Sequence, residues 1–106
     1  MKTTVVLYGI ERRRILAIDG HSDCDAGGFN PVCACVSALV TSLWFSLPER
    51  YRINVEVSPG HARFDVEPNE KDAELICLLF AGVLEALRVV EREFPEYINI
   101  IKDILP

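Results

Sequence analysis

The sequence predicts an α+β domain, a mainly antiparallel sheet covered by two helices in the order ββαββαβ. Three observations carry that expectation. Short runs alternate apolar and polar residues, two longer segments repeat apolar residues at three-and-four spacing, and Gly, Pro and Asn/Asp/Ser clusters punctuate the joints. At 106 residues with 50% hydrophobic content, residues 1–106 suit one domain with its own core and leave no room for a second.

Thr3 to Tyr8 and Ile15 to Asp19 read as the strands of a hairpin joined by a polar turn around Gly9 to Arg14. The loop from Gly20 to Phe29 follows. About ten residues is long for a compact domain, and such loops are usually functional or mobile. Gly27 and Gly28 supply freedom there, and Asp19, Asp23 and Asp25 make it acidic. It reads as a solvated surface loop or, slightly preferred, as a lid that orders on substrate.

The first helix is expected from Pro31 to about Leu47, with Val32, Cys35, Val36, Leu39, Val40, Leu43 and Leu47 at helical spacing and Pro48 as its stop. On its wheel Cys33, Ser37, Val40 and Trp44 form one line at the edge of the core stripe. Arg52 to Val57 and Ala62 to Val66 alternate around Ser58-Pro59-Gly60, predicting a second hairpin. Pro68 and Asn69 are expected to start the second helix, with Glu70 and Asp72 in its first turn where the helix dipole favours acids. Its apolar face runs from Ile76 to Phe94, and Leu78, Ala81 and Ala86 widen it beyond what one sheet needs, which predicts self-association. Pro95 ends the helix, and Tyr97 to Ile104 reads as a final strand.

A net charge of −5 argues against a nucleic-acid surface, which needs clustered Lys and Arg. The one basic run, Arg12-Arg13-Arg14 beside Glu11, is read as a solvated hairpin turn. The most apolar stretch, Ala73 to Val90, contains Glu74, Glu85 and Arg88 and makes a poor membrane span. Met1-Lys2-Thr3-Thr4 leads straight into a strand-like run, so no secretory signal is expected. Four cysteines without an export signal place the chain in the reducing cytoplasm, where disulfides are not expected.

The candidate chemistry lies in His21 and Cys33, twelve positions apart across the loop. Asn30 is a favoured N-cap and Pro31 fits the first helical position, which puts Cys33 at the third. There the unpaired N–H groups and the positive helix end favour thiolate over thiol. A histidine within reach would stabilise that thiolate and later protonate a leaving amine. Against this stands the plainer reading of Cys33 as a small packed residue beside Val32 and Val36. Ser37, one turn on, either donates to the thiolate or a substrate carbonyl or bonds back to its own helix. Trp44 reads as packing residue before groove wall. Cys77 reads as core.

Gly20-His21-Ser22, then Gly28, then Asn30-Pro31-Val32-Cys33-Ala34-Cys35-Val36-Ser37 resembles the pattern of the ribosomal-processing cysteine proteases, in which Gly-His-Ala and a Gly-containing loop precede Asp-Ile-Val-Cys-Ala-x-x-Ser. Length, order of elements and the Phe94-Pro95-Glu96-Tyr97 ending of the second helix are also similar. The resemblance implies an endopeptidase that removes the N-terminal extension of the large-subunit ribosomal protein L twenty-seven, with His21 and Cys33 as the catalytic pair, and a homodimer. Asn30 stands where the pattern has aspartate. It can still cap the helix, and an amide can orient an imidazole.

Gly60-His61-Ala62 matches the tripeptide better than Gly20-His21-Ser22 does, but chain order selects His21, and His61 is expected as a surface residue by a turn. His21, Cys24, Cys33 and Cys35 do not have the spacing of a common zinc ribbon or finger, and no metal or cofactor is expected. The expected function is therefore a cytoplasmic thiol endopeptidase: Cys33 as nucleophile, His21 as acid/base, Gly20 and Gly28 admitting the peptide, and Asn30 and Ser37 in support. Its expected partners are the ribosomal protein's N-terminal peptide and a second copy of the chain, with neither nucleic acid nor membrane. The alternative is a non-catalytic ribosome-associated binding protein of the same fold.

Overall fold

The computed structural model describes residues 3–10, 12–20, 31–58 and 60–102. The strands are β1 (Thr3–Ile10), β2 (Arg13–Asp19), β3 (Val55–Ser58), β4 (His61–Val66) and β5 (Ile98–Lys102), and the helices are α1 (Pro31–Ser46) and α2 (Ala73–Glu93). A short 3₁₀ segment, Glu49–Asn54, leads from α1 into β3. Five strands form one sheet in the order β3-β4-β2-β1-β5, antiparallel except where β1 and β5 run parallel. The expected α+β architecture and the order ββαββαβ are those observed.

Side chains alternate across a sheet with a period of two, and here only one face receives helices. Val5 and Leu7 of β1, Leu16 and Ile18 of β2, and Ala62, Phe64 and Val66 of β4 form the inner rows. Val32, Val36, Val40 and Leu43 of α1 close over them with Ile76, Phe80, Val83, Leu87 and Val90 of α2. The Phe64 and Phe80 rings meet edge to face, 6.5 Å between centroids at 79°, a geometry that aligns ring edge with ring face. The outer row of β4 is polar, with His61, Arg63 and Asp65. Arg13 Nε donates to Asp65 Oδ1 at 3.2 Å, and the hydrogen bond with Asp65 raises the guanidinium's affinity for its proton. Ile15, level with Tyr8 and Asp65 in the ladder, is buried on this outer side.

The first hairpin is longer than expected, because pairing continues to Ile10↔Arg13 and takes Arg13 and Arg14 out of the turn and into β2. The strand expected from Arg52 begins at Val55. Its first residues are instead held as a 3₁₀ turn by side chains that reach backward and forward along the chain. Arg52 Nε donates to the carbonyl of Trp44 at 3.0 Å and Nη2 to that of Phe45 at 3.3 Å, with the guanidinium 5.3 Å from the Trp44 ring centroid. Arg52 thus covers carbonyls that the end of α1 leaves unpaired. Tyr51 Oη donates to Asp72 Oδ2 at 2.7 Å and accepts from the Asn69 amide at 3.1 Å.

α2 starts at Ala73, later than the Pro68-Asn69 signal implied. Asn69 Oδ1 accepts from the Asp72 amide at 2.9 Å, closing a local turn that Asn favours over helix. Cys77, expected in the core, is exposed, as are Leu75 and Leu78. On the edge strand β5, the Ile100 amide donates to Glu91 Oε2 at 2.9 Å, so a helix side chain occupies an otherwise open ladder position.

The Asp72 carboxyl is held below its ordinary value of 3.8, first by the Tyr51 hydroxyl and then by Arg50. A lowered folded-state pKa stabilises the fold above the unfolded pKa, and that contribution fades as pH falls through the folded value. Asp72→Asn is therefore expected to lower Tm at neutral pH, with the gap to wild type closing below about pH 4. Melting curves from pH 7 to pH 2 check this; a constant gap throughout contradicts it.

Candidate active site

Pro31 opens α1, so Cys33 is the third helical residue and lies in the turn whose N–H groups have no helical acceptor. Its side chain faces inward beside the fully buried Val32 and is 7% exposed. Cys35, two positions on and about 200° around the helix, is exposed and free, as is Cys77. Cys33 is disulfide-bonded, against the expectation from compartment that disulfides are absent. Compartment decides which redox state persists, whereas geometry decides only whether two sulfurs can join. Ser37, one turn after Cys33, is exposed. His21, Gly28 and Asn30, together with Cys24, Asp23, Asp25 and the expected lid, lie outside the described residues.

Gly20 marks the end of β2, and the chain there is fixed on both sides. Its φ is +75°, in the left-handed region that glycine enters freely. The Gly20 amide donates to the Gly60 carbonyl at 3.0 Å. The Gly20 carbonyl accepts from Thr3 Oγ1 at 3.1 Å. Thr3 is completely buried and takes part through a contact seventeen residues away. It was missed in the sequence, where a threonine at a strand start carries no sign of such a partner.

His61 is half-buried, and the sheet's alternation separates it from α1. Ala62 points to the helices, so His61 belongs to the outer row, level with Asp19 across the ladder. Its Nδ1 pairs with Asp19 Oδ1, and its Nε2 stands 3.9 Å from Glu56 Oε2. Both ring nitrogens therefore face carboxylates on the side of the sheet away from Cys33. Trp44, partly buried, borders a groove of about 420 Å³ with Val40, Thr41, Phe45, Val55 and Val57 on the helix side. Among the described residues no group of three His, Cys, Asp or Glu side chains is placed to hold a metal ion, and no helix is long and apolar enough to cross a membrane.

A family model described as "Cysteine protease Prp" matches residues 2–99. No curated protein matches the chain. Among solved structures, an essential ribosomal processing protease Prp from S. aureus in complex with a substrate peptide is 20% identical, with a TM-score of 0.68 over 95% of this chain and 99% of that one. The same protease with a covalently linked product peptide is 23% identical, with a TM-score of 0.69 and the same coverage. SMU.848 from Streptococcus mutans is 18% identical, with a TM-score of 0.70 over 96% of this chain and 94% of that one.

Iodoacetamide applied to the oxidised protein is expected to modify Cys35 and Cys77 and to spare Cys33 until a reductant is added. Peptide mass mapping reads this directly. Alkylated Cys33 in the oxidised sample would contradict it.

Proposed function

Because this chain belongs to the cysteine protease Prp family, we propose that it is a ribosomal-processing endopeptidase in which Cys33 is the nucleophile and His21 the acid/base. The observation that carries the reading is the family match over residues 2–99 together with Cys33 in the first turn of α1. Once reduced, the Cys33 thiolate attacks the scissile carbonyl, and the tetrahedral oxyanion that forms accepts from N–H groups at the start of α1. The His21 imidazolium protonates the leaving amine as the C–N bond breaks, leaving a thioester on Cys33. Neutral His21 then takes a proton from water, whose oxygen attacks the thioester and releases the acid product and the thiolate. Asn30 caps α1 or orients His21, Ser37 supports the thiolate or the substrate, and Gly20 and Gly28 let the peptide backbone approach.

The substrate is the N-terminal extension of the large-subunit ribosomal protein L twenty-seven. The chain works in the cytoplasm, where thiol reductants supply the electron pair that frees Cys33 from its disulfide. Acidic residues at Asp23 and Asp25 favour a basic segment of that substrate. Exposed Leu75 and Leu78 on α2, beside the groove formed with Leu39 and Leu43, are the face through which two copies associate.

Incubation with the tagged ribosomal protein and reductant is expected to yield the shortened product. Cys33→Ala and His21→Ala should lower kcat by at least about a thousandfold, while His61→Ala stays near wild type. Intact substrate with reduced, folded wild type would leave the non-catalytic binding protein as the reading; activity that survives loss of His21 but not of His61 would exchange the two histidines. For the dimer, Leu78→Glu is expected to shift the sedimenting species from two chains to one. An unchanged mass would remove α2 from the interface.

A further inference from the structure

The sheet has two edge strands, and they are finished differently. On β5 the Ile100 amide is taken by Glu91. β3 pairs with β4 on one side only. Apart from the Val55 amide, which donates to the Arg52 carbonyl, no hydrogen bond among the described residues reaches its other side. An edge in this state offers alternate N–H and C=O groups to an incoming strand.

The two faces of that edge differ in chemistry. Val55 and Val57 stand opposite Phe64 and Ala62 and so face the helices, whereas Glu56, opposite Arg63, faces outward. The two valines border the groove closed by Val40, Thr41, Trp44 and Phe45. Its walls are apolar yet open to solvent, with Phe45 70% and Val57 57% exposed, and α1 carries no charged residue from Pro31 to Ser46. Such a patch beside a free edge marks an interaction site. On the outward side the Glu56 side chain is 76% exposed, and its ion-pair partner among the described residues is His61 Nε2 at 3.9 Å. That imidazole already pairs with Asp19 through Nδ1, and Arg63 is turned to Asp65. Two carboxylates share one imidazole, which leaves Glu56 complementary to an added cation.

The groove also continues the line of Cys33. Cys33, Ser37, Val40 and Trp44 recur along one stripe of α1, and Val40 lies two turns, about 10 Å, beyond Cys33. An extended chain covers that distance in about three residues.

We propose that β3 and the Trp44 groove seat an extended stretch of the substrate as a sixth strand, taking two apolar side chains at alternate positions into the groove and a Lys or Arg between them beside Glu56. The inference rests on the reading of Cys33 as the nucleophile, and it gives the groove the residues about three positions from the scissile bond. Main-chain pairing supplies affinity in such a mode, and the alternating side chains supply specificity.

The test uses full-length reduced protein and synthetic peptides of the ribosomal protein's N-terminal extension that carry Val-Lys-Val or Val-Glu-Val centred three residues to either side of the cut. Phe45→Glu and Val57→Lys alter exposed positions and are expected to raise KM at least about tenfold with kcat within about threefold. Wild type is expected to prefer the Lys peptide and Glu56→Lys the Glu peptide. Binding is read separately in Cys33→Ala, where Trp44, the one tryptophan of the chain, reports occupancy by its fluorescence; Phe45→Glu in that background is expected to weaken the titration at least about tenfold. Folded Phe45→Glu and Val57→Lys with wild-type KM overturn the proposal, as does the same peptide preference in wild type and Glu56→Lys. Loss of a two-chain species on Phe45→Glu without peptide assigns the groove to a second copy and also overturns it. Wild type that leaves every peptide intact defeats the nucleophile reading itself, and the Trp44 titration then decides the groove alone.

Discussion

Helices cover only one side of the sheet, and this constraint sorts the chemically active side chains of the described strands. Phe64, Leu16, Ile18, Ile76 and Leu87 lie between sheet and helices essentially without solvent contact, each burial contributing about 1.5–3 kcal/mol relative to exposure. With inner rows fixed by that burial, a slip of one residue in any ladder would turn a strand's apolar set outward. The outer positions of β4 then fall to His61, Arg63 and Asp65 by parity. A histidine between two carboxylates ends up on the side remote from the cysteine, although its tripeptide is the closer match to the family's pattern.

α1 is held firmly at one end and presents its chemistry at the other. Arg52 supplies the donors that the last turn lacks and lies over Trp44, while Tyr51 binds the carboxylate that precedes α2. Two consecutive residues of the 3₁₀ segment therefore link the exit of the first helix to the entry of the second. Cys33 sits at the other end, in the first turn of α1, where the positive end of the helix dipole favours a negative charge.

Periodicity and punctuation were enough to locate β1, β2, β4 and both helices, α2 by its strongly amphipathic pattern and α1 by the proline at each end of its apolar run. They failed where long-range side-chain bonds overrode them. Residues 52–54 alternate as a strand does, yet Arg52 is pulled back onto α1 and the chain stays coiled. Pro68-Asn69 reads as a helix start, yet the Asn69 side chain closes a turn first. Cys77 looked internal because its neighbours are apolar, but the second helix carries more apolar surface than the sheet covers. At the candidate site, Pro31 made the position of Cys33 on α1 legible. The involvement of Thr3 was not, since its partners Gly20 and Tyr97 are distant in sequence and the bond exists only after the sheet has formed.

The parallel pairing of β1 with β5 gives the molecule a definite order of completion. β1 lies inside the sheet, flanked by β2, which follows it at once, and by β5, which follows it by almost the whole length of the chain. Contacts of such separation form late, because the intervening loop must be closed before they return any energy. Thr3 waits on the same event, as its amide is paired only when Tyr97 arrives. During synthesis, a chain shorter than residue 97 has both helices available but an open sheet edge where β5 belongs and an unpaired Thr3. The Thr3 amide is thus among the last backbone groups to be paired, by the turn that leads into the strand farthest in sequence from the cysteine.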